Sequence, residues 1–206
     1  MPGKYLKDKA YEIIRQKIIE CEYAPGSILN EAELIKEIGA SRTPIREALN
    51  KLEQENLVTI IPKKCIIVRG ITIDDIAEVF DARAIIEPQI IQIYGQQISK
   101  SFLKDYLHRC REEIDTQKQI HLDEEFHELL YQTCDNRYLR EVLRMVEGMD
   151  HRNRVYKSND ERVREGIREH IRIIEELLKN DYAAAAKHMH EHIKNAKSYA
   201  MKKYIG

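Results

Sequence analysis

Tryptophan is absent, phenylalanine occurs three times, and the chain shows no cysteine pair, no long apolar run and almost no net charge. Each lack excludes something. A net charge of −1, from 34 Lys+Arg and 35 Asp+Glu, rules out a generically adhesive polycation. Any contact with nucleic acid must then come from local placement of basic side chains. Residues 1–69 carry 12 basic against 10 acidic side chains, and residues 70–206 carry 22 against 25, so the asymmetry between the halves is slight. Cys21, Cys65, Cys110 and Cys134 lie far apart in no paired motif. They read as reduced thiols of a cytosolic protein rather than as a disulfide framework. No apolar run is long enough to span a bilayer, and the N-terminus lacks the apolar core of a secretory signal. The chain is therefore expected to be cytoplasmic and to have no membrane partner.

What is present is helical patterning over 206 residues, 33% of them charged and 43% hydrophobic, enough for one or two cores. Tyr11, Ile14 and Ile18 mark a first amphipathic helix ending near Cys21. Pro25-Gly26 signals a turn. Asn30 suits the N-cap of a short second helix, with Glu33 placed like the acid of a capping box, Leu34 and Ile38 facing inward, and Gly39 as its stop. After a tight turn comes ASRTPIREALNKLEQENLV, residues 40–58. Thr43 before Pro44 is the expected cap of this third helix, with Ser41 the alternative. Ile45, Ala48, Leu49 and Leu52 recur at helical spacing and face a core. Arg42 and Arg46 fall off that stripe, four residues apart, and point at a common partner. Arginine suits forked contacts to guanine edges or phosphates, although the same pattern fits a solvated charged face.

Beyond Asn56 the period becomes strand-like. Leu57 to Ile61 and Cys65 to Arg69 flank Pro62-Lys63-Lys64, a hairpin with a basic tip. Helix, tight turn, helix and hairpin together make a winged helix-turn-helix. The run YAPGSILNEAELIKEIGASRTPIREALNKLEQENLV resembles the winged-helix domain of GntR-type bacterial transcription regulators. The likeness covers about residues 10–69. It implies that Arg42, Thr43 and Arg46 touch DNA, and the basic tip of the hairpin lets Lys63 and Lys64 meet the minor groove or phosphates. Some members have an arginine where this chain has Ala32, and many have a glycine at the wing turn where it has Cys65.

Gly70 to Thr72 is the expected joint, giving a winged-helix domain over 1–70 and an all-α helical bundle over 71–206. The bundle is expected to hold six helices, roughly 74–98, 100–118, 122–133, 136–157, 160–179 and 182–203, with short connections. Pro88 lies inside the first and frees the carbonyl of Ala84. Arg83 stands near it, either paired with Glu87 one turn on or pointing inward to receive a carboxylate ligand. Asp123 and His127 share one helical face. His170 lies 11 residues before Asp181 and His192 lies 11 after it. In an antiparallel hairpin turning near Asn180-Asp181, those two imidazoles stand at one level. Asp123, His127, His170 and His192 can thus converge as a site for Zn²⁺, Ni²⁺ or Mn²⁺ with positions open for water or ligand. His188 is the substitute ligand, and His108, His121, His151 and His190 read as ordinary surface or interface residues.

Residues 74–200 also resemble the effector domain of the FCD subgroup of the same regulators. The likeness is carried by Arg83/Glu87, Asp123/Phe126/His127, Asn136/Leu139, Glu169-His170 and Asp181/Ala185/Met189/His192-Ile193. It implies divalent-metal binding by Asp123, His127, His170 and His192, and a small carboxylic acid bound beside the metal. The expected function is a ligand-responsive transcription regulator, a repressor by the family's usual mode, acting as a homodimer on double-stranded operator DNA. Two rivals stand beside it. A metalloenzyme on the bundle has Glu124 and His127 as one Glu-x-x-His element, but no second such element and no HExxH motif. A regulator with a purely structural metal is the other.

Overall fold

The computed structural model describes residues 2–157 and 160–205, with side chains placed for 6–155 and 160–203. The chain divides into two compact units, one formed by Met1–Thr72 with Arg154–Tyr156, the other by Ile73–Asn153 and Lys157–Gly206.

The first unit contains helices α1 (Pro2–Ile19), α2 (Glu31–Ile38) and α3 (Arg42–Gln54) and strands β1 (Ile28–Leu29), β2 (Val58–Ile61) and β3 (Cys65–Val68). Ala10, Tyr11, Ile14 and Ile18 of α1 recur at helical spacing and are buried with Leu34, Ile45, Leu49, Leu52 and Val68. The side chain of Asn30 caps α2, accepting from the amide of Ala32 at 2.9 Å. Gly39 ends α2 in the left-handed conformation, φ 69°, which glycine adopts without a Cβ penalty. The third helix starts earlier than its sequence suggests. Ser41, extended at φ −73° and ψ 172°, is the N-cap, so Thr43 lies inside the helix and not at its cap. Pro44 tolerates this because the first-turn amides have no intrahelical acceptor in any case.

Strands β2 and β3 pair antiparallel from Val58↔Val68 to Ile61↔Cys65. The amide of Lys64 donates to the carbonyl of Ile61, and Lys63 takes φ 61°. Pro62 followed by a positive φ is the signature of a type II turn. The positive φ thus falls on Lys63, while Cys65 sits in the strand. A third, two-residue strand, β1, pairs with β3 on its other side, giving the order β1-β3-β2. Its brevity left no alternation to read in the sequence.

The second unit is helical: α4 (Ile73–Tyr94), a 3-10 turn (Gly95–Gln97), α5 (Lys100–Glu112), α6 (Thr116–Thr133), α7 (Arg137–Lys157), α8 (Asp160–Lys179) and α9 (Tyr182–Ile205). Its largest packing surfaces join α4 to α9 and α8 to α9, α6 and α5. Three expected boundaries move: α4 ends at Tyr94 rather than 98 and passes into the 3-10 turn, and the join between α5 and α6 shifts. Helix α5 stops at Glu112 rather than 118, and α6 begins at Thr116 rather than 122. The cause is Asp115, whose carboxylate accepts from the amide of Lys118 at 3.0 Å, while Gln119 Nε2 donates to the carbonyl of Glu113 at 2.7 Å. Pro88 lies within α4. Nδ1 of His190 on α9 is 3.3 Å from the carbonyl of Ala84, the acceptor that Pro88 deprives of its amide. Among the described residues, no helix is long and apolar enough to cross a membrane.

Candidate metal centre and nucleic-acid interface

In the first unit, Arg42, Thr43 and Arg46 lie exposed in the first turns of α3, and Lys63 and Lys64 lie exposed at the wing tip. The apolar stripe Ile45, Ala48, Leu49 and Leu52 is buried and fixes which face of α3 turns outward. The side chains of Arg42 and Arg46 are 68% and 61% exposed. Both meet one carboxylate, that of Glu31 at the start of α2. Arg42 Nε is 2.9 Å from Glu31 Oε1, and Arg46 Nε is 3.1 Å and 3.2 Å from Oε1 and Oε2.

In the second unit, three helices bring Asp123, His127, His170 and His192 together. One ligand atom from each lies within 4.8 Å of the others. Each imidazole occupies a position on the buried stripe of its helix: His127 beside Leu130 and Tyr131, His170 between Ile167 and Ile173, His192 between Met189 and Ile193. That placement drives the three rings inward with the core. Nε2 of His170 is 3.3 Å from Nε2 of His192 and 3.5 Å from Oδ1 of Asp123. The ring of Phe126 packs on His170 with centroids 4.6 Å apart. His188 pairs with Glu191 on its own helix and is not among the converging residues.

The chemistry of the donors fits a cation. Burial pushes the His170 imidazole well below its ordinary pKa, with His192 adding to the effect, and burial also lowers His192. Both are thus neutral, the form that ligates a metal. Nδ1 of His192 donates to Oε2 of Glu169 at 2.7 Å, which leaves Nε2 as the lone-pair nitrogen facing the cluster. Burial works against ionisation of Glu169, but His192 and Arg162 hold its carboxyl down to about 2. Arg162 and Asn195 anchor that carboxylate at 2.7 Å and 2.8 Å. His127 differs. Burial would lower its pKa, yet Glu87, with Oε2 2.9 Å from Nδ1, outweighs burial and raises it.

Arg83 is where both sequence readings meet. It pairs with Glu87 at 2.7 Å and it also points inward, 1% exposed, with Nη1 on the carboxylate of Asp150. Its Nη2 lies 3.1 Å from Nε2 of His127. Burial opposes its charge, but Asp150 and then Glu87 keep the guanidinium firmly protonated. Tyr131 completes the network, donating towards Glu87 at 3.0 Å and Glu147 at 3.1 Å. Sequence reasoning missed Asp150, Arg152 and Asn153, all buried on α7, because polar residues on a helix are exposed by default. It also left Glu169 without a role. The available signal was its place beside His170, with Arg162 two turns earlier on the same helix.

The bacterial regulatory proteins of the gntR family match residues 6–68, and the FCD domain matches residues 78–195. The chain belongs to the GntR family. It is 31% identical over 193 residues to the HTH-type transcriptional regulator YdhC of Bacillus subtilis strain 168, covering 88% of this chain and 85% of that protein. It is 28% identical over 200 residues to the HTH-type transcriptional repressor RspR of Escherichia coli K12, covering 93% and 87%. A GntR regulator from Rhodococcus sp. RHA1 shares the fold, with a TM-score of 0.80 at 20% identity over 96% of this chain and 98% of that one. This GntR protein is accordingly a DNA-binding transcription regulator, its relatives are regulators rather than enzymes, and its FCD domain holds a His₃Asp cluster that could bind a metal.

Proposed function

We propose that this protein is a cytoplasmic repressor that binds operator DNA as a homodimer through residues 1–70 and is released by a small organic acid bound in residues 71–206. The observation that carries the reading is the occurrence in one chain of an exposed arginine couple on α3 and a His₃Asp cluster in the FCD domain whose histidines are buried. Arg42, Thr43 and Arg46 are assigned to the major groove, and Lys63 and Lys64 to the minor groove or phosphates. A two-fold dimer places its half-sites about one helical turn apart. The repressing sign is carried over from the name of the E. coli relative.

Asp123, His127, His170 and His192 would hold Zn²⁺, Ni²⁺ or Mn²⁺, which supplies a Lewis-acid anchor for a carboxylate oxygen. His127 would ligate through Nε2 while Nδ1 keeps its proton on Glu87, and Nε2 would then no longer accept from Arg83 Nη2. Arg83 Nη2 then needs another acceptor, and the effector carboxylate provides one. Glu87 and Asp150 keep the guanidinium paired throughout, so the exchange concerns one buried Nη2 donor that would otherwise lack an acceptor. Effector binding biases the DNA-competent arrangement only by its differential affinity for the two arrangements.

A second reading keeps the metal and makes Arg83 structural, since Glu87 and Asp150 already neutralise it. One experiment separates them. A duplex selected by the protein from a random library is titrated with and without Zn²⁺ against a panel of organic acids. The sensing reading expects an acid that shifts duplex affinity only in the metal-loaded wild type, with the shift lost in Arg83→Lys. If the shift persists in Arg83→Lys, the structural reading of Arg83 holds. If no acid shifts affinity while Zn²⁺ raises thermal stability, the metal is structural.

A further inference from the structure

We propose that Glu31 is a positioning residue of the DNA interface, hydrogen-bonded to Arg46 Nε and ion-paired with Arg42 beside it, so that the two guanidinium ends are aimed before DNA arrives. This rests on the assignment of both arginines to DNA. Glu31 opens α2, with Asn30 capping the helix behind it, so its backbone is fixed. Its side chain is 23% exposed, far less than those of the two arginines it meets. Oε1 accepts from Arg46 Nε at 3.1 Å and lies 2.9 Å from Arg42 Nε as its ion-pair partner. Two cations four residues apart on a helix repel each other and would splay. The carboxylate between them removes that repulsion.

The point of attachment matters. Forked recognition of guanine uses the outer edge of the guanidinium. A carboxylate on Nε steadies the side chain from behind and leaves that outer edge to DNA. Ordering two long side chains in advance lowers the entropy lost on base contact. Glu31 also sets a negative charge beside the phosphates, which weakens binding through the backbone alone. Both effects favour the cognate sequence over any other.

A contrary expectation makes the test sharp. If Glu31 were only a charge, its removal would strengthen binding to all DNA by one common factor. The probes are a duplex selected by the wild-type protein from a random library and a scrambled duplex of the same composition. The readout is the dissociation constant of the scrambled duplex divided by that of the selected one. Glu31→Gln should lower that ratio by about threefold to tenfold. Glu33→Gln, the same charge change in the same first turn of α2, should leave it within twofold. A ratio that Glu31→Gln leaves within twofold, or lowers no more than Glu33→Gln does, overturns the proposal. Arg46→Ala is the third arm. If it binds the selected duplex as the wild type does, the DNA assignment itself fails. If it weakens binding while Glu31→Gln leaves the ratio intact, only the role of Glu31 fails.

Discussion

The two units use arginine in opposite ways. In the winged helix, Arg42 and Arg46 are mostly exposed and share one carboxylate. In the FCD domain, Arg83 is sealed in, 1% exposed, between Glu87 and Asp150, themselves 0% and 2% exposed. An exposed pair is worth little, about 0–1 kcal/mol, because water already solvates both charges. Such a pair is readily exchanged for phosphate or a base edge. A buried pair has lost its water, so each partner depends on the other, and deleting one costs about 3–5 kcal/mol. The head therefore offers charges that a partner can take, and the body holds charges that shape a site.

The largest expected effect follows from the buried side. Arg83→Ala leaves the carboxylates of Glu87 and Asp150 facing each other without their cation. Denaturant unfolding should report a loss of about 3–5 kcal/mol. A loss below about 1 kcal/mol would mean that Arg83 behaves like a surface arginine, and the contrast between the units would collapse.

Arg46→Ala sharpens the same contrast from the exposed side. Stability should change by no more than about 0.5 kcal/mol. Affinity for the selected duplex should fall by about 1–3 kcal/mol, measured by gel shift or fluorescence anisotropy at fixed salt. Equal affinity of mutant and wild type would sink the contact assignment.

How much of this was legible beforehand differs between the units for a physical reason. In the head, local chemistry decides the structure. Asn30 caps, Gly39 stops, and the stripe Ile45, Ala48, Leu49 and Leu52 settles which way the arginines face. The cap of α3 was misplaced by two residues, because a proline suits any position in a first turn. In the body, the equal spacing of His170 and His192 about their turn was readable, and their Nε2 atoms do lie 3.3 Å apart. Asp150 was not readable. Its burial depends on a contact with Arg83, 67 residues away, and no local pattern encodes that. The join between α5 and α6 failed for a related reason: continuous helical periodicity hid the cap at Asp115.

Glu169→Gln tests whether order in the body serves the site rather than the fold. The glutamine oxygen can still accept from His192 Nδ1, but the charge that fixes the imidazole tautomer is gone. Zn²⁺ affinity, measured by competition with a chelator, should fall by about 10–100-fold. Arg162 donates to the same oxygen as His192, at 2.7 Å, so a glutamine with its oxygen on that side keeps both contacts, while Asn195 must turn its amide over to accept from the new NH₂. An unchanged affinity would show that His192 does not need its partner, or that it does not ligate.

The smallest effect separates helix stability from the space around the cluster. Gly166 is buried on α8, one turn before His170. A methyl there would lie 3.7 Å from Oδ1 of Asp123 and 3.9 Å from Cε1 of His192, ordinary contact distances that force nothing to move. Helix propensity alone then predicts that Gly166→Ala is more stable by about 0.8–1.0 kcal/mol. The added methyl also occupies volume beside these two proposed ligands. If an effector carboxylate enters there, Gly166→Ala should keep its Zn²⁺ affinity and lose response to the acid. Gained stability with an unchanged response would place the effector on another side of the cluster. A loss of stability would mean that the backbone at Gly166 requires glycine, and its smallness would then carry no information about the ligand.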